Sequence, residues 1–188
     1  MDSVKKYLDT ELGIKKIHPA MTTDYPTKEE NLTCYNKGCG ENGSVFCHAN
    51  TWAIIAECML GRPENAWKYY HQLLPMIAQK TAGAERYKAE PYVYSSNIFG
   101  PESDKFGLAN VSWLTGTAAW MYLAATQYLL GVRPTWDGLE IDPCLPEHLL
   151  PAKVTRVFRG CRYEITITKN QKLSLPYVDG REQLSVTV

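Results

Sequence analysis

The sequence has no excess of either charge. Its 188 residues carry 20 Lys and Arg against 20 Asp and Glu. With no basic surplus to neutralise phosphate backbones, nucleic-acid binding is not expected. Internal repeats and low-complexity segments are also absent. No pair of cysteines has CxxC spacing and no His follows at zinc-finger spacing, so no metal site is expected. The Gly-Lys-Ser/Thr of a P-loop is missing. No Ser/His/Asp or Cys/His arrangement emerges from spacing, and His18, His71, His148 and the pair Glu29-Glu30 form no constellation.

What is present is ordinary for a globular domain: 45% apolar and 21% charged residues. That composition excludes an intrinsically disordered chain. The length allows one domain, or one domain with a small second one. Six cysteines (Cys34, Cys39, Cys47, Cys58, Cys144, Cys161) are even in number, so a disulfide framework must be weighed. Residues 1–12 read as a mixed-charge helix rather than a secretory signal. The thiols are therefore expected to be reduced and the chain cytoplasmic. The 12 Tyr and 5 Trp suit a sugar-binding cleft and a buried core equally.

Along the chain, Tyr7, Leu8 and Leu12 suggest a helical face ended by Gly13. Residues 18–33 read as loop. The glycine-rich stretch 34–50 leads into an apolar segment, Trp52 to Leu60, expected to be a buried helix capped by Gly61. Pro63 restarts a helix to about Gln79, with Trp67, Tyr70, Leu74 and Ile77 as its stripe, widened by Ala66 and Leu73. The two helices make an antiparallel hairpin. Residues 83–111 look irregular. Residues 112–131 predict one long helix buried inside the protein; Thr115, Gly116, Thr117, Thr126 and Gln127 argue against a membrane span. After Pro134 the period becomes alternating. Leu139 and Ile141 fall in one strand, Val154, Val157 and Phe158 in a second, and Tyr163, Ile165 and Ile167 in a third. Gly160 serves a bend, and Asp179-Gly180 signals a turn before Leu184, Val186 and Val188. The tail is expected to be antiparallel, with a boundary near residue 134.

Three places can carry chemistry. Glu41 sits on a glycine-flanked turn, and His48 lies seven residues on, near a helix start. There, free backbone N–H groups attract anions and a His adds a donor. A solvated loop carboxylate and a capping or core His fit the same pattern. Thr115 and Gly116 open the long helix, as an anion cradle or as ordinary capping. Glu90-Pro91-Tyr92-Val93-Tyr94-Ser95-Ser96 sets aromatics beside a carboxylate, for a sugar or for plain packing.

Four stretches taken together resemble one family: NKGCGENGSVFCHANTWAIIAEC, AEPYVYSSNIFGPE, FGLANVSWLTGTAAWMYLAATQYLLGVRPTWDGLEIDPCLP and VFRGCRYEITI. In this order they are similar to the C-terminal part of glycoside hydrolase family 94, over about residues 1–170. The resemblance implies a mainly α fold: part of an (α/α)6 barrel over residues 1–133, then a small antiparallel β unit over 134–188. It implies inverting phosphorolysis of a disaccharide, in which inorganic phosphate attacks the anomeric carbon. An inverting hydrolase needs an acid and a base. Phosphate is already an anionic nucleophile, so one general acid suffices and no cofactor is implied.

By motif, the resemblance assigns His48, Thr115 and Gly116 to phosphate, and Glu41 to the acceptor sugar. Tyr35 stands where cellobiose-type members have an acceptor-site tyrosine and chitobiose-type members a small apolar residue. It therefore implies a glucose acceptor, hence cellobiose. Ser96 stands where the family commonly has a phosphate-contacting glutamine; the shorter side chain reaches phosphate through a bridging water. The family's general acid, an aspartate, and its phosphate-binding arginines precede all these motifs. The chain is thus expected to be a C-terminal piece, inactive alone, whose partners are the missing N-terminal part, disaccharide and phosphate, with homodimerisation implied by the family. The rival expectations are a non-catalytic carbohydrate- or partner-binding remnant, a chitobiose phosphorylase and a β-glucan synthase domain.

Overall fold

A computed structural model describes residues 1–22 and 35–169, with the backbone of 177–178 and 181–187. Cys34, the Glu29-Glu30 pair, loop residues 23–33, the Asp179-Gly180 turn and Val188 lie outside the described residues.

The chain opens with α1 (Asp2–Tyr7), then the short hairpin β1 (Asp9–Thr10) and β2 (Gly13–Ile14). Leu12 is therefore not on a helical face, as its spacing suggested. It lies in the hairpin turn, where it is fully buried, and Gly13 belongs to β2. The helix stops at Tyr7 because Thr10 competes for the backbone: its hydroxyl donates to the Gly13 carbonyl at 2.6 Å.

A glycine-rich loop leads to β3 (Val45–Phe46) and directly into α2 (Cys47–Met59). The helix starts five residues before Trp52 and is not buried throughout. It turns Cys47, Thr51 and Ile54 inward, while Trp52 is 54% exposed. Its end follows the expected cap. Gly61 takes a φ of +65°, its N–H bonds the Cys58 carbonyl at 2.9 Å, and Arg62 N–H bonds the Glu57 carbonyl at 3.0 Å. That paired closure needs a residue at ease in the left-handed region, which is glycine.

Pro63 begins α3 (Pro63–Leu73), which packs back on α2. The expected continuous helix to Gln79 is broken: Leu74 turns to extended backbone (ψ 126°) and Pro75 starts α4 (Pro75–Ala82). The residue before a proline is driven from the helical region, which accounts for the break. The buried face of α3 is Ala66, Tyr69, Gln72 and Leu73, with Trp67 and Tyr70 beside it, only half-buried. A short α5 (Ala84–Tyr87) follows.

Residues 83–111 are not wholly irregular. They supply β4 (Ser95–Ile98) and most of β5 (Ala109–Ser112), which with β3 form a three-stranded sheet in the order β3-β4-β5. The expected helix over 112–131 is shorter. It comprises α6 (Thr117–Leu123) and a π-helical continuation, Ala124–Leu129. Its first residues finish a strand and a loop instead. It is also not buried all round, for Tyr122 is 67% exposed. Among the described residues no helix is long and apolar enough to cross a membrane.

The tail pairs β6 (Val132–Pro134) with β7 (Leu139–Ile141), and β8 (Ala152–Phe158) with β9 (Cys161–Thr168). Arg159 and Gly160 both have positive φ, 49° and 81°, as a two-residue hairpin turn requires. Ile165 and Ile167 point inward, as their alternation predicts. The tail is not all antiparallel: β10 (Tyr177–Val178) and β11 (Arg181–Thr187) form a hairpin, and β11 then lies parallel to β9, with Ile165 opposite Leu184. One core joins Leu12, Ile54, Tyr69, Met121 and Leu129 with Ile165 and Ile167 across residue 134. Helices and small, mostly antiparallel sheets thus share the chain, with a three-stranded sheet already present before residue 134.

Candidate functional site

The β3-β4-β5 sheet decides which residues meet. Strands β3 and β5 both run antiparallel to β4 between them, with Phe46 opposite Asn97 and Ser95 opposite Ser112. The C-terminal ends of β3 and β5 and the start of β4 therefore share one edge. Chain leaving β3 reaches His48 two residues on, β4 places Ser96 second, and chain leaving β5 reaches Thr115 and Gly116. Three segments far apart in sequence are delivered to one place.

His48 sits on the first turn of α2. Its ring lies among Phe46, Trp52 and Trp120, at centroid distances of 6.3, 5.6 and 5.8 Å. Gly116 lies against it so closely that a Cβ on the glycine would come 3.1 Å from His48 Cε1. His48 Nε2 is buried and unpartnered among the described residues. An orphaned buried polar atom costs about 1–3 kcal/mol unless something satisfies it. The Thr115 hydroxyl accepts the Thr117 N–H at 3.2 Å and lies 2.7 Å from the Thr117 hydroxyl. With Thr117 donating, the Thr115 proton is free to point at an anion. Cys47, next to His48, is not a competing nucleophile, since burial pushes its thiol up to about 12.

Ser96 is half-buried on the same sheet, level with Cys47 by continuation of the register. Tyr35 and Glu41 form a second group. The Tyr35 ring lies over Gly40, whose Cβ would meet it at 2.6 Å, and Asn42 Nδ2 donates to the Tyr35 carbonyl at 3.0 Å. The Glu41 carboxylate is exposed but paired, accepting a hydrogen bond from Lys16 Nζ. That ammonium also stands 4.6 Å from the centre of the Phe46 ring, which reaches toward His48. Lys16 thus links the two groups, and no sequence motif pointed to it. Trp52, one helical turn beyond His48, carried a signal in its i+4 spacing.

The loop bearing Tyr35 and Glu41 is firmly tied. Lys16 N–H bonds the Ser44 carbonyl at 2.9 Å, the Ser44 hydroxyl donates to the Gly40 carbonyl at 2.6 Å, and Gly100 N–H bonds the Gly38 carbonyl at 2.8 Å. Behind it Glu102 accepts from Lys15, whose side chain is almost wholly buried. Burial alone would raise the Glu102 carboxyl, but the Lys15 hydrogen bond helps to hold it below the ordinary carboxylate value.

The loop into Thr115 is strained. Val111 and Trp113 have φ of +54° and +71°, each costing about 1–2 kcal/mol for an L-residue with a bulky side chain. Trp113 Nε1 donates to Glu90 Oε1 at 3.2 Å. A hydrogen bond from its own backbone N–H, then that from Trp113, holds the Glu90 carboxyl below its ordinary value. Of the third sequence candidate, Glu90 therefore has a defined partner, while burial raises the Tyr94 phenol. No cluster of three or more His, Cys, Asp or Glu able to hold a metal occurs among the described residues.

The catalytic domain of the glycosyl hydrolase 94 superfamily matches residues 1–131. The chain belongs to this family. It is 36% identical to the solabiose phosphorylase of Paenibacillus borealis, over 97% of this chain and 24% of that protein. It is 38% identical to the N,N'-diacetylchitobiose phosphorylase of Vibrio proteolyticus, over 93% of this chain and 21% of that one. A cyclic beta-(1,2)-glucan synthase of Rhizobium meliloti is 33% identical over 78% of this chain and 5% of its own length. The chain thus spans a quarter or less of the length of these relatives.

Proposed function

We propose that this chain forms the phosphate- and acceptor-binding side of an inverting disaccharide phosphorylase. The observation that carries the reading is the orphaned His48 Nε2 against Gly116, with the Thr115 hydroxyl beside them. Such a cluster can hold a phosphate oxygen by donors fixed in advance, which avoids reorganisation during reaction. Phosphate oxygen attacks the anomeric carbon from one face. The glycosidic C–O bond breaks on the other, and its oxygen takes a proton from an aspartate outside this chain. Inverting attack needs no second carboxylate as base, because phosphate arrives ionised. Ser96 contacts phosphate through a water. Glu41, held by Lys16, accepts hydroxyl groups of the departing sugar, and the Tyr35 ring packs on its face.

Within this reading the sugars are those of cellobiose, and the products are α-glucose 1-phosphate and glucose. Support for glucose as acceptor comes from Tyr35, which stands where cellobiose-type members of the family have an acceptor-site tyrosine. The relatives act on solabiose and N,N'-diacetylchitobiose by name, so these are the competing substrates. The proposal also includes an (α/α)6 barrel over residues 1–133 completed by the remaining length of the whole protein, a β unit over 134–188, a homodimer, a cytoplasmic site of action, and no metal or organic cofactor.

The test is phosphorolysis by the whole protein. His48→Ala is expected to raise the KM for phosphate by about tenfold or more, one charge-assisted hydrogen bond, with the disaccharide KM little changed. An unchanged phosphate KM would overturn the assignment. Tyr35→Val should impair glucose as acceptor more than N-acetylglucosamine in the reverse reaction. Equal losses remove the case for cellobiose.

A further inference from the structure

We propose that Glu90 is a positioning residue for phosphate: by accepting the Trp113 indole N–H it fixes the left-handed segment that delivers Thr115 and Gly116 to His48. The inference rests on the functional reading above, and its starting point is backbone geometry. Val111 and Trp113 both occupy a region that bulky L-residues avoid, with φ of +54° and +71°. Such backbone persists only where the surroundings over-determine it, and it gathers at functional sites.

Packing does not supply that determination. Trp113 is 68% exposed and Val111 46% exposed. What holds the segment is its hydrogen bonding. Ser112 pairs with Ser95 in the sheet and its side chain also bonds the Glu90 carboxylate, which fixes the near end. Trp113 Nε1 donates to Glu90 Oε1 at 3.2 Å, across 23 residues of sequence, which fixes the far end. Only one residue, Leu114, then separates Trp113 from Thr115, so there is little slack to absorb a shift.

The register adds a reason for the strain. Between the pairs Ser95–Ser112 and Asn97–Asn110, Val111 is level with Ser96. The turn of the backbone thus begins beside Ser96 and ends at Thr115, joining two of the residues assigned to phosphate. Releasing Trp113 lets Val111–Trp113 relax toward ordinary negative φ and carries Thr115 and Gly116 away from the His48 ring, against which Gly116 now lies in contact. Glu90 touches no reacting atom in this scheme; it acts through the loop.

The experiment uses the whole protein with four variants. Glu90→Ala and Trp113→Phe are each expected to raise the phosphate KM about tenfold, while the disaccharide KM stays within about twofold. Glu90→Gln keeps an acceptor oxygen for the indole and should restore the phosphate KM. The double variant should be no worse than Glu90→Ala, which already removes the indole bond together with the Ser112 side chain's bond to the carboxylate. The Trp113 indole N–H resonance, assigned from Trp113→Phe, should move upfield in Glu90→Ala and not in Glu90→Gln. An unchanged phosphate KM in Glu90→Ala overturns the proposal, as do additive effects in the double variant or a failure of Glu90→Gln to rescue. Phosphate-independent wild-type turnover sinks the functional reading instead. The indole resonance still tests the latch in that case, and a resonance unmoved by Glu90→Ala overturns it.

Discussion

A single carbon atom at position 116 separates a working contact from a crowded one. Gly116 has a φ of −79°, which any residue adopts. A larger side chain is therefore excluded by contact and not by backbone conformation. A Cβ there would stand 3.1 Å from His48 Cε1 and 3.4 Å from Nδ1. The ring cannot retreat freely, since Phe46, Trp52 and Trp120 surround it. Gly116→Ala is thus expected to tilt His48 and raise the phosphate KM about tenfold. In a His48→Ala background the same substitution should cost little more, because the ring it displaces is gone. Steady-state kinetics of the two single variants and the double variant check this; independent, multiplying losses would show that Gly116 acts by another route.

At the scale of elements, the join between β2 and α2 holds the site in place, and Asn50 makes it. Its Oδ1 accepts the Ile14 N–H at 2.6 Å, and its Nδ2 donates to the carbonyls of Ile14 and Phe46 at 2.9 Å each. The residue is buried, so Asn50→Ala leaves both backbone groups of Ile14 unsatisfied, at a cost of about 3 kcal/mol. Asn50→Asp replaces a donor by an acceptor facing two carbonyls and should be at least as damaging. Urea unfolding of the variants measures it, and a loss under about 0.5 kcal/mol would remove Asn50 from this role. The elements legible in advance were those written in local chemistry. The Gly61 cap with Pro63 after it, and the alternation over 161–168, gave the α2–α3 turn and β9 directly. The run 112–131 misled because apolar character without a clear period fits a strand end, a loop and a helix alike. The parallel pairing of β11 with β9 was invisible because it joins distant residues. The site divides in the same way. Motifs singled out His48, Gly116 and Glu41 as candidates, whereas Lys16 reaches Glu41 across 25 residues with no local mark.

For the whole molecule the question is what the aromatic face around His48 meets. Trp52 and Trp120 pack edge to face at 6.4 Å and both remain substantially exposed, as does Leu114 beside Thr115. A domain that ends in water seldom leaves so much aromatic surface uncovered around one site. The chain spans 24% of the solabiose phosphorylase and 21% of the chitobiose phosphorylase it resembles, so the proposed whole protein has ample further length to cover it. Two opposite consequences follow for the same pair of changes. In the 188-residue chain alone, Trp52→Ser with Trp120→Ser should reduce self-association at micromolar concentration, seen by analytical ultracentrifugation, and reduce binding of a hydrophobic dye. In the whole protein the same pair should lower stability, because burying such side chains is worth about 1.5–3 kcal/mol each. If the isolated chain is monomeric and binds no dye, the face is not an association surface. If the double variant leaves the stability of the whole protein unchanged, the rest of the protein does not cover these aromatics, and they stay exposed.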